Sequence, residues 1–553
     1  MPAFNKTPKH LLAIAVITFL GIAIYSGSFH NSFHFDDDPF IVNNNNIKGL
    51  ENIKKFFTAD FNLHTRALTF LTFAINYKIS KLNVFGFHIF NLFIHLINAL
   101  LVYWLASLII YLNNQLSLKP KSQGTSYFDF IPFFTALIFL THPIQTQGVT
   151  YICQRFASLA ALFYYLSICL YVKWRLEKVN KLKKLGYLAV SSICGILGMF
   201  TKETIFTLPL AVIMLETLFF HRENIKIKTK NAWPLAIIFI VLTSIIPALY
   251  KFDINTVLNM STSSDSHAGD IVSFNNYWPT QMRVICRYLS LLYLPINQTL
   301  DYDFPLSKNI IEPATFSSFL LILSIILFSL YKAKRDKVIT FSILFFFIAL
   351  LVESSFIPIR NVIFEHRLYL PMFGFALLSA WIIDKSLTKN FSKYLILLTI
   401  ITTFSLLAYQ RNKVWKNEIS LWQDVIRKSP FKERGYINLG TAYIGLKDYY
   451  RAIDLIDSAI AKFPKSEKLI NNRGLAYLSL GKFSEAEKDF RKATLLNPSY
   501  SNPLVNMGLM YYQIKDYSRA LEAFSKALQI EPYNYAILSN RGGIFMDLNR
   551  LPE

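Results

Sequence analysis

The chain has 553 residues, 53% of them hydrophobic and 16% aromatic, with a formal net charge of +22. That apolar content is too high for a soluble chain of this length, and long apolar runs recur from Leu11 to Ala408, so most of the chain reads as a polytopic membrane protein. Much of the positive charge lies in short loops between apolar runs, where it sets membrane topology; no nucleic-acid motif accompanies it, which excludes nucleic acid as a partner.

In chain order, the basic start KTPKH precedes the apolar run 11–29, which lacks a small-residue cleavage site and reads as an uncleaved first span. Further spans are expected at 85–112, 129–141, 155–173, 185–200, 204–220, 232–250, 313–331, 338–352, 366–383 and 394–410, making eleven. The stretch 284–296, VICRYLSLLYLPI, is too short to cross and contains Arg287; it is expected to be interfacial or re-entrant. Basic loops such as NNQLSLKPKSQ, KWRLEKVNKLKK, HRENIKIKTK and YKAKRDK then all fall on one side, the cytoplasmic one. An odd number of spans places the C-terminal region on the opposite side. Cys153, Cys169, Cys194 and Cys286 lie in or beside apolar segments without a CxxC pair, and read as buried small hydrophobes.

The non-cytoplasmic face collects the unusual loops: 30–66 with Asp36, Asp37 and Asp38, LTHPIQTQGVTYICQR (140–155), MFTKET (199–204), 251–283, INQTLDYDFP (296–305) and ESSFIPIRNVIFEHR (353–367). Ionisable groups at membrane depth are costly and are kept mainly for function or pairing. Six such loops on one face point to a shared site.

The last part of the chain is charged and periodic. Asn438, Asn472, Asn506 and Asn540 are 34 residues apart, as are Gly440, Gly474, Gly508 and Gly542, and Pro430, Pro464, Pro498 and Pro532. This is the tetratricopeptide period, with Gly-x-x-Tyr in the first helix and Ala-x3-Phe in the second (Ala486/Phe490, Ala520/Phe524). The fold class is therefore all-α: a membrane helical domain (1–410), a linker helix (411–430) and a solenoid of repeats 431–464, 465–498 and 499–532 with a partial fourth at 533–553. The sequence stops where the next second helix and its cap are expected. A solenoid offers a concave peptide-binding surface; a spacer or dimerisation arm is the other reading.

The motifs FHFDDDPFIVNN, NVFGFHIFNLFIHLINALL, THPIQTQGVTYICQRFASLAALF, MFTKETIFTLPL, RVICRYLSLLYLP followed by LDYDFP, and FIPIRNVIFEHRLYLP, in this order and with the repeat tail, resemble the transmembrane and tetratricopeptide repeat-containing O-mannosyltransferases. They resemble the bacterial relatives of these enzymes more closely still. The resemblance covers nearly the whole chain and implies a GT-C-class glycosyltransferase. Its donor is a polyprenyl-phosphate-linked sugar, mannose or another hexose. The acceptor it implies is a Ser or Thr hydroxyl of an exported polypeptide, with the repeats as a surface on which to take it up, on the outer face of a membrane such as the bacterial inner membrane.

That chemistry asks for a base, a cationic cradle for the leaving phosphate and a groove for the lipid. The resemblance puts the base on the pair Asp36 and Asp37, with Asp37 as base and Asp36 as its orienter, or the reverse; Asp38 reads as a loop residue or a cap before Pro39. Attack opposite the phosphate inverts the anomeric carbon. Arg66, Arg155, Lys202, Arg283, Arg287, Arg360 and Arg367 are the candidates for the phosphate, with Lys202 and Arg367 leading. The competing reading pairs Lys202 with Glu203 and Arg367 with Glu365 to hold loops, and anchors an interfacial helix with Arg283 and Arg287. Glu365 is also counted among the donor-side candidates. His88 and His95, seven apart with Asn91 between them, suggest a polar stripe facing the site. His142 is placed near the sugar or phosphate, and Asp301 and Asp303 near sugar hydroxyls or in a turn cap. No compact metal-ligand set stands out, and a divalent cation is left open. A membrane-anchored repeat scaffold without chemistry is the rival reading; it accounts for the tail but not for the polar loops.

Overall fold

The computed structural model describes residues 8–57, 66–115, 130–220, 274–355, 358–359 and 361–548. The expected span 232–250 and the candidate Arg360 lie outside them. Helices and loops account for all of this, with no strand among the described residues. The chain divides into two compact units, Met1–Leu300 with Phe304–Asn417, and Asp301–Asp303 with Glu418–Glu553.

The helices of the first unit are α1 (Pro8–Tyr25), α2 (Ala67–Ser80), α3 (Val84–Gln115), α4 (Phe130–Thr141), α5 (Arg155–Leu176), α6 (Lys181–Met199), α7 (Leu208–Leu215), α8 (Phe274–Tyr293), α9 (Pro313–Lys332), α10 (Lys337–Leu350), α11 (Met372–Ser386) and α12 (Asn390–Val414). Among the described residues, seven helices are long and apolar enough to cross a membrane: His10–Ser28, Val84–Gln115, Ile152–Leu176, Lys181–Met199, Glu203–Phe220, Pro313–Lys332 and Asn390–Val414.

The expected spans 129–141 and 338–352 are shorter helices, Phe130–Thr141 and Lys337–Leu350. Twelve residues rise only about 18 Å, well under the ~30 Å hydrocarbon thickness. The helix α4 tolerates this because it is packed by protein, against α3, α11 and α12. Its C-terminus is set by His142 and Pro143: the His142 Nδ1 accepts the Ile144 N–H at 3.1 Å and proline cannot extend the helix.

Three further segments differ from the sequence expectation. The segment 284–296 is the end of a twenty-residue helix, α8, that starts ten residues earlier and contains Pro279. Its polar N-terminal half hid it from a search for apolar runs. The fourteen-residue α2 was not anticipated at all; it is too short for a span, and it buries Phe70 and Phe73 beneath the first loop. The expected span at 366–383 becomes α-helical only at Met372, after a 3-10 turn at Glu365–Leu368.

The second unit opens with α13 (Glu418–Lys428) and continues as helix pairs: α14 (Glu433–Gly445) and α15 (Tyr449–Lys462), α16 (Glu467–Ser479) and α17 (Phe483–Leu496), α18 (Asn502–Gln513) and α19 (Tyr517–Ile530), then α20 (Tyr535–Asp547). A Cβ on Gly474 would lie 2.8 Å from the Phe490 ring, and one on Gly508 would lie 2.6 Å from the Phe524 ring, so glycine is needed for the close approach inside each pair. The turn inside each pair holds Lys447, Gly481 or Lys515 at φ of +61°, +73° and +63°, again at the 34-residue step.

Candidate functional site

The three acids of the first loop have three different environments. Asp37 is fully buried: its Oδ2 accepts the His34 N–H at 2.9 Å and its Oδ1 accepts the Cys153 N–H at 2.6 Å. Burial pushes its carboxyl well above the ordinary range; the His34 and Cys153 N–H groups pull it back, and Asp36 and Asp38 add to the rise. Asp38 is exposed and begins a π-helical turn, Asp38–Val42, with Pro39 in its first turn. Asp36 is half-exposed, and its backbone N–H donates to the Tyr151 hydroxyl at 3.0 Å. The residue before it, Phe35, sits at φ +49°. That region is costly for a bulky side chain, and such strain persists only where the surroundings impose it.

The surroundings are Tyr151, Trp415 and the end of α12. The Tyr151 ring stacks on Trp415 with centroids 5.4 Å apart and planes at 25°. The His34 Nε2 donates to the Trp415 carbonyl at 2.7 Å, Asn31 Nδ2 to the Asn412 carbonyl at 3.2 Å, and the Ser32 N–H to the Lys416 carbonyl at 3.2 Å. The loop of acids is thus fastened to the far end of the membrane unit's sequence.

The cationic candidates separate into two groups. Lys202 forms a buried ion pair with Glu353 at 2.6 Å, and Arg66 forks onto Glu203 with two contacts of 3.2 Å. Arg367, 3% exposed, donates to the backbone carbonyls of Val362 (2.9 Å), Asn361 (2.6 Å) and Glu353 (3.2 Å). These three cations gather around His366: after burial, Lys202, Arg367 and Arg66 hold its imidazole well below the ordinary value and so neutral. Its ring stacks on Phe364 at 5.1 Å and its N–H donates to Gln147 Oε1 at 2.6 Å. The His366 Nδ1, the Gln147 Nε2 and both amide atoms of Gln145 are buried without a protein partner. Orphaned buried polar atoms mark places that water or a ligand completes.

The second group is occupied inside the fold. Arg155 is fully buried, donating to Asn91 Oδ1 (2.7 Å), Thr72 Oγ1 (3.2 Å) and the Phe87 carbonyl (3.2 Å), with its guanidinium over Phe73 and Phe90 at 4.6 and 4.5 Å. His88 Nε2 donates to the Asn31 carbonyl at 3.0 Å, and His95 bridges the Tyr369 hydroxyl (2.7 Å) and the Leu140 carbonyl (3.3 Å). The seven-residue stripe on α3 thus ties elements together, while the His88 Nδ1 is buried without a protein partner. His142 Nε2 donates to the Leu292 carbonyl at 3.0 Å, with its ring 4.5 Å from that of Phe404. Glu365 accepts from Gln298 Nε2 (3.0 Å) and the Thr299 N–H (2.9 Å) and makes no pair with Arg367. Arg283 lies over Phe304 at 5.3 Å and donates to the Pro305 carbonyl, tying the middle of α8 to that loop, while Arg287 donates to the Ile296 carbonyl and braces the helix end. Asp303 is grouped with the second unit, where its N–H donates to Ser429 Oγ at 3.2 Å and Asp301 pairs with Arg434 at 3.5 Å.

Four residues at the site were not singled out from sequence: Tyr151, Trp415, Glu353 and Gln145. Glu353 was visible as an acid at a span end. Tyr151 and Trp415 look like ordinary interfacial aromatics, and only the fold shows that they meet. Among the described residues, no three His, Cys, Asp or Glu side chains converge as a metal site.

Fold and site together define an all-α, multi-pass membrane protein whose second unit is a tetratricopeptide solenoid. Tetratricopeptide repeat models match residues 436–466, 468–500 and 502–534. Over most of its length the chain is similar to curated protein O-mannosyl-transferases, which bears out the resemblance read from its motifs. It is 25% identical over 472 residues to the protein O-mannosyl-transferase F38B6.6 of Caenorhabditis elegans, covering 80% of this chain and 62% of that one. It is 25% identical over 488 residues to the protein O-mannosyl-transferase TMTC3 of Homo sapiens, covering 80% and 50%, and 23% identical over 520 residues to TMTC2 of Homo sapiens, covering 78% and 60%. The chain spans half to three-fifths of the length of these relatives.

Proposed function

We propose that the chain is a GT-C-type membrane glycosyltransferase that moves a hexose, mannose in the first instance, from a polyprenyl phosphate to Ser or Thr hydroxyls of exported polypeptides on the non-cytoplasmic face, with the bacterial inner membrane as its location. The observation that carries this reading is the double attachment of the segment 141–155. Tyr151 holds the backbone of Asp36, and Gln147, four residues earlier, holds the His366 turn about which Lys202, Arg66 and Arg367 gather. One rigid segment thereby links an accessible carboxylate to a cluster of cations, the pair that transfer from a phosphate requires.

This reading reverses the assignment favoured from the motif, making Asp36 the base and Asp37 its organiser. A fully buried carboxylate with both oxygens engaged by backbone N–H groups is poorly placed to reach an acceptor hydroxyl. Asp36 takes the hydroxyl proton of the acceptor as its oxygen attacks the anomeric carbon. The bond from that carbon to the phosphate oxygen breaks, with inversion. Polyprenyl phosphate leaves as an anion, stabilised by Lys202, Arg66 and Arg367.

The test uses the full chain in detergent with polyprenyl-phosphate mannose and a Ser/Thr peptide. Release of polyprenyl phosphate that depends on the peptide and disappears in Asp36→Asn supports the reading. Full release in Asp36→Asn rejects the base assignment. No release by the wild type, with peptide binding retained, favours the rival scaffold.

A further inference from the structure

The neutral side chains around the His366 turn have more hydrogen-bonding capacity than the fold uses, and the proposed reaction draws only on the cations beside them. Gln147 is 1% exposed, and its Oε1 accepts the His366 N–H at 2.6 Å. That bond fixes which way the amide faces, and leaves both protons of its Nε2 without a protein acceptor. The His366 Nδ1 has no protein partner either, and its ring is held by the stack on Phe364. Ser354 is buried with its hydroxyl unpartnered. It follows Glu353, whose carboxylate takes Lys202 and whose carbonyl takes Arg367. Gln145 is fully buried with neither amide atom bonded, on a turn, Pro143–Gln145, that packs against Glu365–Leu368.

These are five buried polar atoms on four residues. Native interiors leave few such atoms unmatched, and one ordered water, with about three hydrogen bonds, completes only part of the set. The set mixes both polarities: Gln147 offers donors, Ser354 and Gln145 offer donors and acceptors, and a neutral imidazole offers one of each. A phosphate only accepts, so it suits the neighbouring cations and not the Gln145 carbonyl oxygen. An ammonium only donates, and the carboxylates of Glu353 and Glu203 are already engaged by Lys202 and Arg66. Hydroxyls on a sugar ring each donate and accept, and so match the mixture.

We infer that Gln147, His366, Ser354 and Gln145 read the ring hydroxyls of the donor sugar and set its specificity, while the cations beside them take its phosphate. The inference deepens the donor side of the proposed function and rests on that reading for the place of the phosphate. Buried amide, imidazole and hydroxyl groups that wait for sugar hydroxyls reject a ligand lacking them, because they are then left unpaired.

The test titrates the full chain in detergent with polyprenyl-phosphate mannose and with polyprenyl phosphate, which lacks only the sugar. The wild type should bind the sugar-bearing lipid about tenfold more tightly. Ser354→Ala and His366→Phe each remove a group without a protein partner, and His366→Phe retains both the N–H bonded to Gln147 and an aromatic ring on Phe364. Each variant should lose about fivefold in affinity for polyprenyl-phosphate mannose, the worth of one neutral hydrogen bond, and stay within about twofold of the wild type for polyprenyl phosphate. The ligand-free Ser354→Ala protein should melt at or above the wild-type temperature, since it sheds an unmatched buried hydroxyl. Equal wild-type affinity for the two lipids, or an undiminished sugar preference in both variants, would overturn the inference and leave the phosphate site standing. A parallel fall for both lipids in both variants would also overturn it, by making the residues structural. Failure of the wild type to bind either lipid would overturn it together with the donor assignment.

Discussion

The backbone N–H of Asp36 donates to the Tyr151 hydroxyl at 3.0 Å, across 115 residues of sequence. This bond fixes where the half-exposed carboxylate of Asp36 can reach, and Phe35 at φ +49° keeps the chain turning into it. Tyr151→Phe removes the acceptor and leaves the stacked ring on Trp415 in place. It should lower kcat by about fivefold, with KM for the lipid donor within about twofold, since one neutral hydrogen bond is worth about 1 kcal/mol. Steady-state kinetics with polyprenyl-phosphate mannose checks this; an unchanged kcat removes Tyr151 from any positioning role.

Asp37 should behave as a structural anchor. In Asp37→Asn, the amide NH2 must face either the His34 or the Cys153 N–H, donor against donor. The expected cost is about 1–3 kcal/mol of stability, read as a lowered melting temperature in detergent. A variant that melts like the wild type but is inactive would move the base from Asp36 to Asp37.

Lys202 and Glu353 form a buried pair at 2.6 Å. Glu353→Gln strands the ammonium and should cost about 3 kcal/mol. The double change Lys202→Met/Glu353→Leu should recover most of that stability and none of the activity, because in the proposed reaction only the cation serves the leaving phosphate. Recovery of both would make the pair purely structural.

His142 gives stability a pH dependence with a definite sign. Burial, partly offset by its bond to the Leu292 carbonyl, lowers its pKa to about 4 from the ordinary 6.5. The unfolded chain binds the proton first as pH falls, so the stability contributed by neutral His142 is whole above 6.5 and is lost progressively between 6.5 and 4. Over that window the loss amounts to about 3 kcal/mol. His142→Asn, which can still accept the Ile144 N–H, should flatten the fall in melting temperature between pH 7 and 4.5. Equal slopes in the two proteins would contradict the assignment.

The repeats carry a correctable strain. Lys515 occupies at φ +63° the position that Gly481 fills in the repeat before it. Lys515→Gly should stabilise the solenoid by about 0.5–1 kcal/mol, measured by thermal unfolding. Lys447→Gly should act alike and additively, being one repeat away.

The repeats were legible because one helix pair must bury its face against the next, which imposes a 34-residue period on the sequence. The spans were legible wherever lipid or protein demands an unbroken apolar run. The helix α8 escaped in part, since its N-terminal half is polar and bonds to loop residues at Glu353, Val362 and Ser307, and α2 escaped because fourteen mixed residues carry no such demand. The acids and cations were legible as a collection but not as partnerships. Asp36 and Asp37 are neighbours in sequence, yet a backbone N–H at Cys153, 116 residues on, makes one an anchor and leaves the other accessible. Lys202 ignores adjacent Glu203 for Glu353, and Arg155 is caged by rings from α2 and α3. Such choices are made by packing between elements far apart in sequence, and local spacing does not encode them.

The first loop is fastened by Asn412, Trp415 and Lys416, 381 or more residues after the groups they hold. During synthesis, therefore, the acids emerge early and wait for the last membrane helix before they are set in place. A nascent chain interrupted before Asn412 carries Asp36, Lys202 and Arg367 yet leaves the loop unmoored. Completion of the membrane unit is thereby built in as the condition for setting the acidic loop in place.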